Sequence, residues 1–291
     1  MLFRRKYPLH LNEKVSPIFI IGSGRSGNTI LRRVLTNSSE LYIPPETYVL
    51  GQAIRQFHSS RCLDWNEMCL LTLGTFSNSQ DFDTFPTPYL LELYESLVKL
   101  PEAERSLSKI VDGFYGLMLQ KAKPAAKRWG DKTPLNSYSL YEINKLFPDA
   151  RYVHIIRNGY DVINSYLNMG RYSEPESAAR RWVKAVNDCH HFKIKHPARV
   201  IEIKYEDFCY DPELTTRNLC SFLNLEYITE MVNGSEYRDA LGDIETRAHY
   251  SNVSKPIDTS SIGKGILELD DNIIEIVNPI ISRTLSKFGY I

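Results

Sequence analysis

The chain of 291 residues carries 35 Lys and Arg against 35 Asp and Glu, so its formal charge is zero and bulk electrostatic binding of nucleic acid or an anionic membrane is not expected. With 43% hydrophobic and 24% charged residues it is neither disordered nor fibrous, and it holds enough apolar material for one large α/β domain over residues 1–291. The five cysteines are odd in number and form no CxxC, which excludes a disulfide framework or zinc site on pattern and makes a reducing, cytoplasmic setting the default.

The first residues include Arg4, Arg5 and Lys6 but no apolar stretch that would make a signal-peptide core or a membrane span. Pro17-Ile18-Phe19-Ile20-Ile21 is short, β-branched and unbroken by polar residues, the pattern of a central parallel strand covered on both faces. A glycine-rich turn follows, and then Ile30, Leu31, Val34 and Leu35 at helical spacing over 29–36. Residues 52–123 read as mostly helical, with loops at 76–88 and 100–105 and no strong strand, so they are expected to form a helical insertion or cap on the acceptor side.

A helix is expected over 139–147, a strand over 151–156 ending at Arg157-Asn158-Gly159, and a helix through Val162, Ile163, Tyr166 and Leu167. Further helices are expected over 177–193, 212–223 with Asp211 as N-cap, and 268–288, with a third strand over 199–205. Strands alternating with helices, without repeats or linkers, imply a three-layer α/β/α domain around a mainly parallel sheet.

Gly22-Ser23-Gly24-Arg25-Ser26-Gly27-Asn28-Thr29 has the frame of a phosphate-binding loop between a buried strand and a helix. Backbone N–H groups and the helix N-terminus there suit an anion. Asn28 stands where a nucleoside triphosphatase has lysine, and the cation is instead Arg25 inside the loop, which weakens Mg-dependent phosphoryl transfer. Arg157 falls at the carboxyl end of the second strand, where open α/β sheets bind ligands, and Ser165 follows about two helical turns later. Two anion sites on neighbouring strand ends suit a nucleotide phosphorylated at both ends. A kinase with a P-loop, and a nucleotide-binding module without turnover, remain alternatives.

These segments resemble the sulfotransferases that use 3′-phosphoadenosine 5′-phosphosulfate (PAPS), above all the bacterial and tyrosylprotein branches with a P-loop-like fold. Ile20 to Thr29 looks like the family's 5′-phosphosulfate loop, and Val153 to Val162 with Ser165 looks like its 3′-phosphate element. Trp129-Gly130-Asp131-Lys132-Thr133-Pro134, Leu146 to Ala150, Tyr205-Glu206-Asp207-Phe208 and Ser260-Ser261-Ile262-Gly263-Lys264 follow in the family's order.

The resemblance implies sulfuryl transfer from PAPS, leaving 3′-phosphoadenosine 5′-phosphate (PAP), to a hydroxyl of a carbohydrate, small metabolite or tyrosyl group, with no metal required. It implies cofactor contacts from Gly24, Arg25, Ser26, Gly27, Asn28, Thr29, Arg157, Ser165, Ser261 and Lys264. Arg25 and Lys132 become the catalytic cations and Glu46, in Ile43-Pro44-Pro45-Glu46-Thr47, the base. On residues alone Glu46 reads as a solvated helix cap, Asp131 with Lys132 as a surface ion pair, and Tyr205-Glu206-Asp207 as structure at a strand end. His154, inside an apolar strand, reads as a core histidine. Cys189-His190-His191 is no metal site, because neighbouring residues on a helix point about 100° apart. Acceptor specificity is expected from 52–123 and from the loop 169–176, with the aromatics Phe57, Trp65, Phe82, Phe85, Tyr89 and Tyr94 either lining a pocket or packing in the core. Oligomeric state stays open, a homodimer included.

Overall fold

The run after Pro17 forms strand β1 (Ile18–Ile21), and its side chains alternate between two apolar layers. Phe19 and Ile21 join one core cluster, Ile18 and Ile20 another. The computed structural model describes residues 6–11, 14–87, 89–233 and 256–291. After β1 come α1 (Asn28–Thr36), β2 (Leu41–Tyr42), α2 (Leu50–Ser59), α3 (Trp65–Ser77), α4 (Leu91–Val98), α5 (Leu107–Ala122) and β3 (Arg128–Lys132). They are followed by α6 (Leu140–Leu146), β4 (Arg151–Ile156), α7 (Gly159–Asn168), α8 (Pro175–Lys195), β5 (Val200–Lys204), α9 (Tyr205–Tyr210), α10 (Pro212–Leu223) and α11 (Glu230–Asn233). Helices α12 (Lys264–Glu268) and α13 (Asp271–Lys287) end the chain.

The five strands form one sheet in the order β2-β3-β1-β4-β5, and every pairing is parallel. Helices cover both faces, so the architecture is the expected α/β/α sandwich. One layer packs α2, α3, α5, α6 and the end of α8 on Phe19, Ile21, Tyr42, Trp129 and Tyr152. The opposite layer packs α1, α9, α10 and α11 on Ile18, Ile20, Leu41, Val153 and Ile155. A third cluster ties α7, α8, Leu269 and α13 to Ile156. The chain leaves β1 toward β2 and crosses to β4 on the other side, which opens a crevice at the strands' carboxyl ends between β1 and β4.

One expectation about the elements changes. The segment 128–132 was not expected as a strand, yet β3 lies between β2 and β1. Arg128, Asp131 and Lys132 break any apolar pattern, and the charges are tolerated in mid-sheet only because long-range partners meet them. The last expected helix, over 268–288, is α13, and the short α12 precedes it.

The helical segment after β2 packs against the sheet. Phe57, Trp65, Phe82 and Phe85 are buried among the residues that cover the sheet, so they pack rather than line a pocket, while Tyr89 is exposed. The capping box of Asp64 with Glu67 sets the start of α3, each side chain accepting from the other's backbone N–H. Asp211 caps α10 as expected, accepting from the N–H of Leu214. Among the described residues no helix is long and apolar enough to cross a membrane.

On the sheet's far edge Glu202 of β5 collects several donors. Its Oε1 accepts from Nδ1 of His154 at 3.0 Å and Nδ1 of His190 at 2.9 Å, and its Oε2 takes Lys193 Nζ at 2.7 Å. A carboxylate only accepts, so His154 donates from Nδ1. Burial holds the His154 imidazole below the ordinary histidine range, as suits a neutral core residue. Burial alone would raise the Glu202 carboxyl, but the hydrogen bonds from His154 and Lys193 outweigh it and bring it from 4.5 down to about 2. A depressed carboxyl stabilises the fold above its unfolded pKa of 4.5, and that stability disappears as pH falls toward 2. Glu202→Gln should therefore lower the urea midpoint near neutral pH, and should lose less between about pH 5.5 and about pH 3 than the parent protein. An equal drop in both proteins would show that Glu202 does not carry this pH dependence.

Candidate active site

The turn from β1 to α1 is built for close approach. Gly27 has φ +91°, and a Cβ there would lie 2.4 Å from the Tyr205 ring, so glycine is required on both counts. Arg25 itself sits at φ +65°, a left-handed conformation that residues with a side chain enter at a cost. Asn28 Nδ2 donates to the Ser23 carbonyl at 2.7 Å, so its amide closes the loop on itself. The buried Ser26 Oγ and Asn28 Oδ1 have no hydrogen-bond partner, and Gly24, Arg25, Gly27, Asn28, Thr29 and Ile30 line an open cleft of about 280 Å³.

The carboxyl end of β4 brings Arg157 to the same cleft. Its Nη1 donates to Arg25 O at 3.1 Å, its Nη2 donates to Ser261 O, and its guanidinium stacks 4.6 Å over the Tyr205 ring. Arg157 Nε is 3.7 Å from Asp161 Oδ2, too far for a hydrogen bond, and is left without one. Asp161 in turn accepts from the backbone N–H groups of Gly263 at 3.0 Å and Gly265 at 2.7 Å. That carboxylate ties the late loop with Ser261 to the first turn of α7. Arg25 Nε donates to Ser165 Oγ at 3.0 Å, which links the phosphate loop to α7 as well.

The third wall comes from the segment after β2 and from β3. Lys132 is fully buried, and its Nζ bonds to Glu46 Oε1 and to Thr29 Oγ1 at 3.2 Å. Its neighbour Asp131 points to the other face, where it accepts from Tyr115 Oη at 2.5 Å, Thr47 Oγ1 at 3.0 Å and Asn136 Nδ2 at 2.6 Å. Burial pushes the Asp131 carboxyl above the ordinary range, although the hydrogen bonds from Tyr115 and Thr47 oppose the rise. Thr47 N–H also donates to Thr133 Oγ1 at 3.1 Å. Asp131 and Lys132 are therefore not the surface pair that their adjacency suggests. Each anchors the Glu46-Thr47 segment to the sheet, one through Thr47 and the other through Glu46.

Of the residues picked out from the sequence, Gly24, Arg25, Gly27, Asn28, Thr29, Glu46, Arg157 and Ser261 line the cleft. Lys132 and Ser165 touch lining residues, and Ser26 lies buried in the loop. Lys264 is exposed at the start of α12 and is not among the lining residues. Its backbone neighbours are held inward by Asp161, and the side chain is left outside. The described residues of 52–123 contribute nothing to the lining, whereas Met169, Arg171 and Tyr172 of the loop 169–176 do.

The remaining wall, Tyr48, Pro134, Leu135, Tyr166, Arg181 and Tyr205, was not picked out beforehand as part of a site. Tyr205 had a readable signal, since it directly follows β5 and opens α9 at the carboxyl edge of the sheet. Tyr166 braces the loop, its Oη 3.4 Å from Ser23 Oγ and against Gly24.

Over 296 residues the chain is 22% identical to Protein-tyrosine sulfotransferase 1 of Danio rerio, covering 97% of this chain and 74% of that protein. Over 243 residues it is 23% identical to the omega-hydroxy-beta-dihydromenaquinone-9 sulfotransferase of Mycobacterium bovis, covering 72% of this chain and 63% of that one. The solved sulfotransferase domain from the Synechococcus PCC 7002 olefin synthase shares the fold, with TM-score 0.62, 21% identity and coverage of 95% of this chain and 98% of that chain. Residues 17–229 match the family model described as Sulfotransferase family, and the chain belongs to the sulfotransferase family.

Proposed function

We propose that the protein is a PAPS-dependent sulfotransferase acting on a hydroxyl acceptor, with Glu46 as the general base. The observation that carries this reading is convergence: the Gly24 to Thr29 loop, Arg157 and the Glu46–Lys132 ion pair, distant in sequence, meet at one cleft. PAPS, when bound, supplies an activated sulfuryl group on a phosphate leaving group.

The cleft's own chemistry fits such a nucleotide. Ser26 Oγ and Arg157 Nε are polar atoms buried without a hydrogen-bond partner, which is costly unless a ligand answers them. The loop N–H groups at the α1 N-terminus, with Arg25, form the 5′ anion site, and Arg157 with Ser165 and the Ser261 loop forms the 3′ site. Tyr205, stacked beneath the Arg157 guanidinium, fixes its orientation.

Glu46 accepts the proton of the acceptor hydroxyl as the oxygen becomes nucleophilic. Lys132 stands between Glu46 and Thr29, so the same ammonium orients the base and lies next to the anion loop, where it stabilises charge on the departing oxygen. Asp131 keeps the pair in register by holding Thr47. The relatives named for tyrosine and for a menaquinone hydroxyl support a hydroxyl acceptor.

PAP should raise the thermal unfolding temperature, and ATP with Mg²⁺ should not; the reverse result would favour a kinase. Stabilisation by PAP without transfer from radiolabelled PAPS to any acceptor in a panel of glycans, phenols and tyrosyl peptides would point to a binding module.

Glu46→Gln should cut turnover by about 10²- to 10⁴-fold while PAP affinity changes little. The variant also leaves Lys132 without its counter-charge, so turnover is to be measured well below its own, lower Tm. Unchanged turnover would remove Glu46 as the base.

Arg157→Ala should weaken binding of PAP far more than of adenosine 5′-phosphosulfate, which lacks the 3′-phosphate. Equal losses for both nucleotides, measured by calorimetry, would separate Arg157 from the 3′ site.

A further inference from the structure

The cleft holds more cationic charge than the nucleotide accounts for. Among the described residues four arginines line it, Arg25, Arg157, Arg171 and Arg181, and the single acidic side chain in the same lining is Glu46. Arg25 and Arg157 are occupied in the 5′ and 3′ anion sites of the proposed function.

Arg171 and Arg181 have no such duty. No carboxylate among the described residues pairs with either guanidinium, whereas elsewhere the arginine Arg217 finds Glu213 at 2.7 Å. Arg171 sits just past α7, exposed, its backbone N–H bonded to Tyr166 O at 3.2 Å. Arg181 rises from the first half of α8 and is held in place by a cation–π contact, its guanidinium 4.2 Å over the Tyr138 ring. Its Nη2 lies 3.5 Å from Pro134 O, at the turn that directly follows Lys132 and Thr133. Its Nη1 is shut off from solvent and has no hydrogen-bond partner.

A half-buried guanidinium with an unanswered N–H, in the wall of the cleft and paired with no carboxylate among the described residues, has the chemistry to hold an anion. The position next to the Pro134 turn places it by β3, whose last residue Lys132 pairs with Glu46. Met169, Tyr172, Leu135 and Tyr48 share the lining with the two arginines and supply apolar and aromatic area.

Resting on the sulfotransferase reading, we infer that the acceptor is itself anionic: a hydroxyl compound bearing a carboxylate or phosphate that Arg171 and Arg181 hold while Glu46 faces the hydroxyl. The charge selects the acceptor, and the apolar walls accept whatever carries it. A free hydroxy acid and an acidic peptide offer the same chemistry, and matched acceptors tell them apart.

The experiment uses radiolabelled PAPS and two acceptor pairs that differ only in charge. These are para-hydroxyphenylacetate with its amide, and a tyrosyl peptide flanked by glutamates with the same peptide flanked by glutamines. In at least one pair the charged member should be favoured in kcat/KM by about tenfold or more, as for a charge-assisted hydrogen bond. Which pair shows the preference identifies the source of the charge.

Arg171→Gln and Arg181→Gln should each raise KM for the charged member, with kcat changing less than KM, and Arg181→Lys should keep part of the affinity. PAP should stabilise these variants as it stabilises the parent, which also controls for folding. The inference is overturned if charge makes no difference in either pair, if no charged member is sulfated, or if the preference survives the double substitution. Failure of PAP to bind the parent protein removes the sulfotransferase reading itself, and PAP binding without charge preference removes only this inference.

Discussion

Two consecutive charged residues buried in the middle of a sheet are the constraint around which this molecule is organised. Asp131 and Lys132 occupy β3, and because strand side chains alternate, one faces the α2–α6 layer and the other faces α1. An isolated buried charge would cost far more than a domain's net stability, so each must be met in place. Tyr115, Thr47 and Asn136 meet the carboxylate, and Glu46 and Thr29 meet the ammonium. The outcome is that the Glu46 segment, the anion loop and the helical layer containing Tyr115 are fixed relative to each other by one pair of residues.

The second half of the cleft is organised by the same principle around Arg157. Its guanidinium is answered by two backbone carbonyls, those of Arg25 and Ser261, and by the ring of Tyr205. Asp161, one helical turn later, holds the late loop by two backbone N–H groups. Arg157 therefore bridges three chain segments before any ligand is present. Such a site is preorganised, and little side-chain entropy remains to be lost when an anion enters. Zero net charge and a strongly cationic cleft are compatible because the charge is placed and not spread.

The parts of the fold that the sequence made readable share one property, that their signal is local. β1 and β4 are apolar runs ended by turn residues, α1 and α10 carry helical periodicity, and Asp211 is a capping residue at the right offset. The turn from β1 to α1 is equally local, since glycine spacing and a following helix mark it in the sequence. β3 failed to show because its polarity hides it, and β2 because it is only two residues long. The aromatics of residues 52–123 were ambiguous between pocket and core for a related reason: burial is a property of the whole molecule.

The amino-acid order by itself determined the α/β alternation and the glycine-rich turn between β1 and α1, since short-range pattern carries that information, and the family resemblance pointed to Arg25, Arg157 and Glu46, which the fold brings to one cleft. Only the tertiary structure decided that Lys132 is buried against Glu46, that Lys264 lies outside the cleft lining, and that Tyr205, Arg171 and Arg181 are inside it. Those outcomes depend on which strands become neighbours and on which polar atoms must be satisfied once water is excluded. Contacts between residues a hundred positions apart, such as Lys132 with Thr29, leave no periodic trace in the chain.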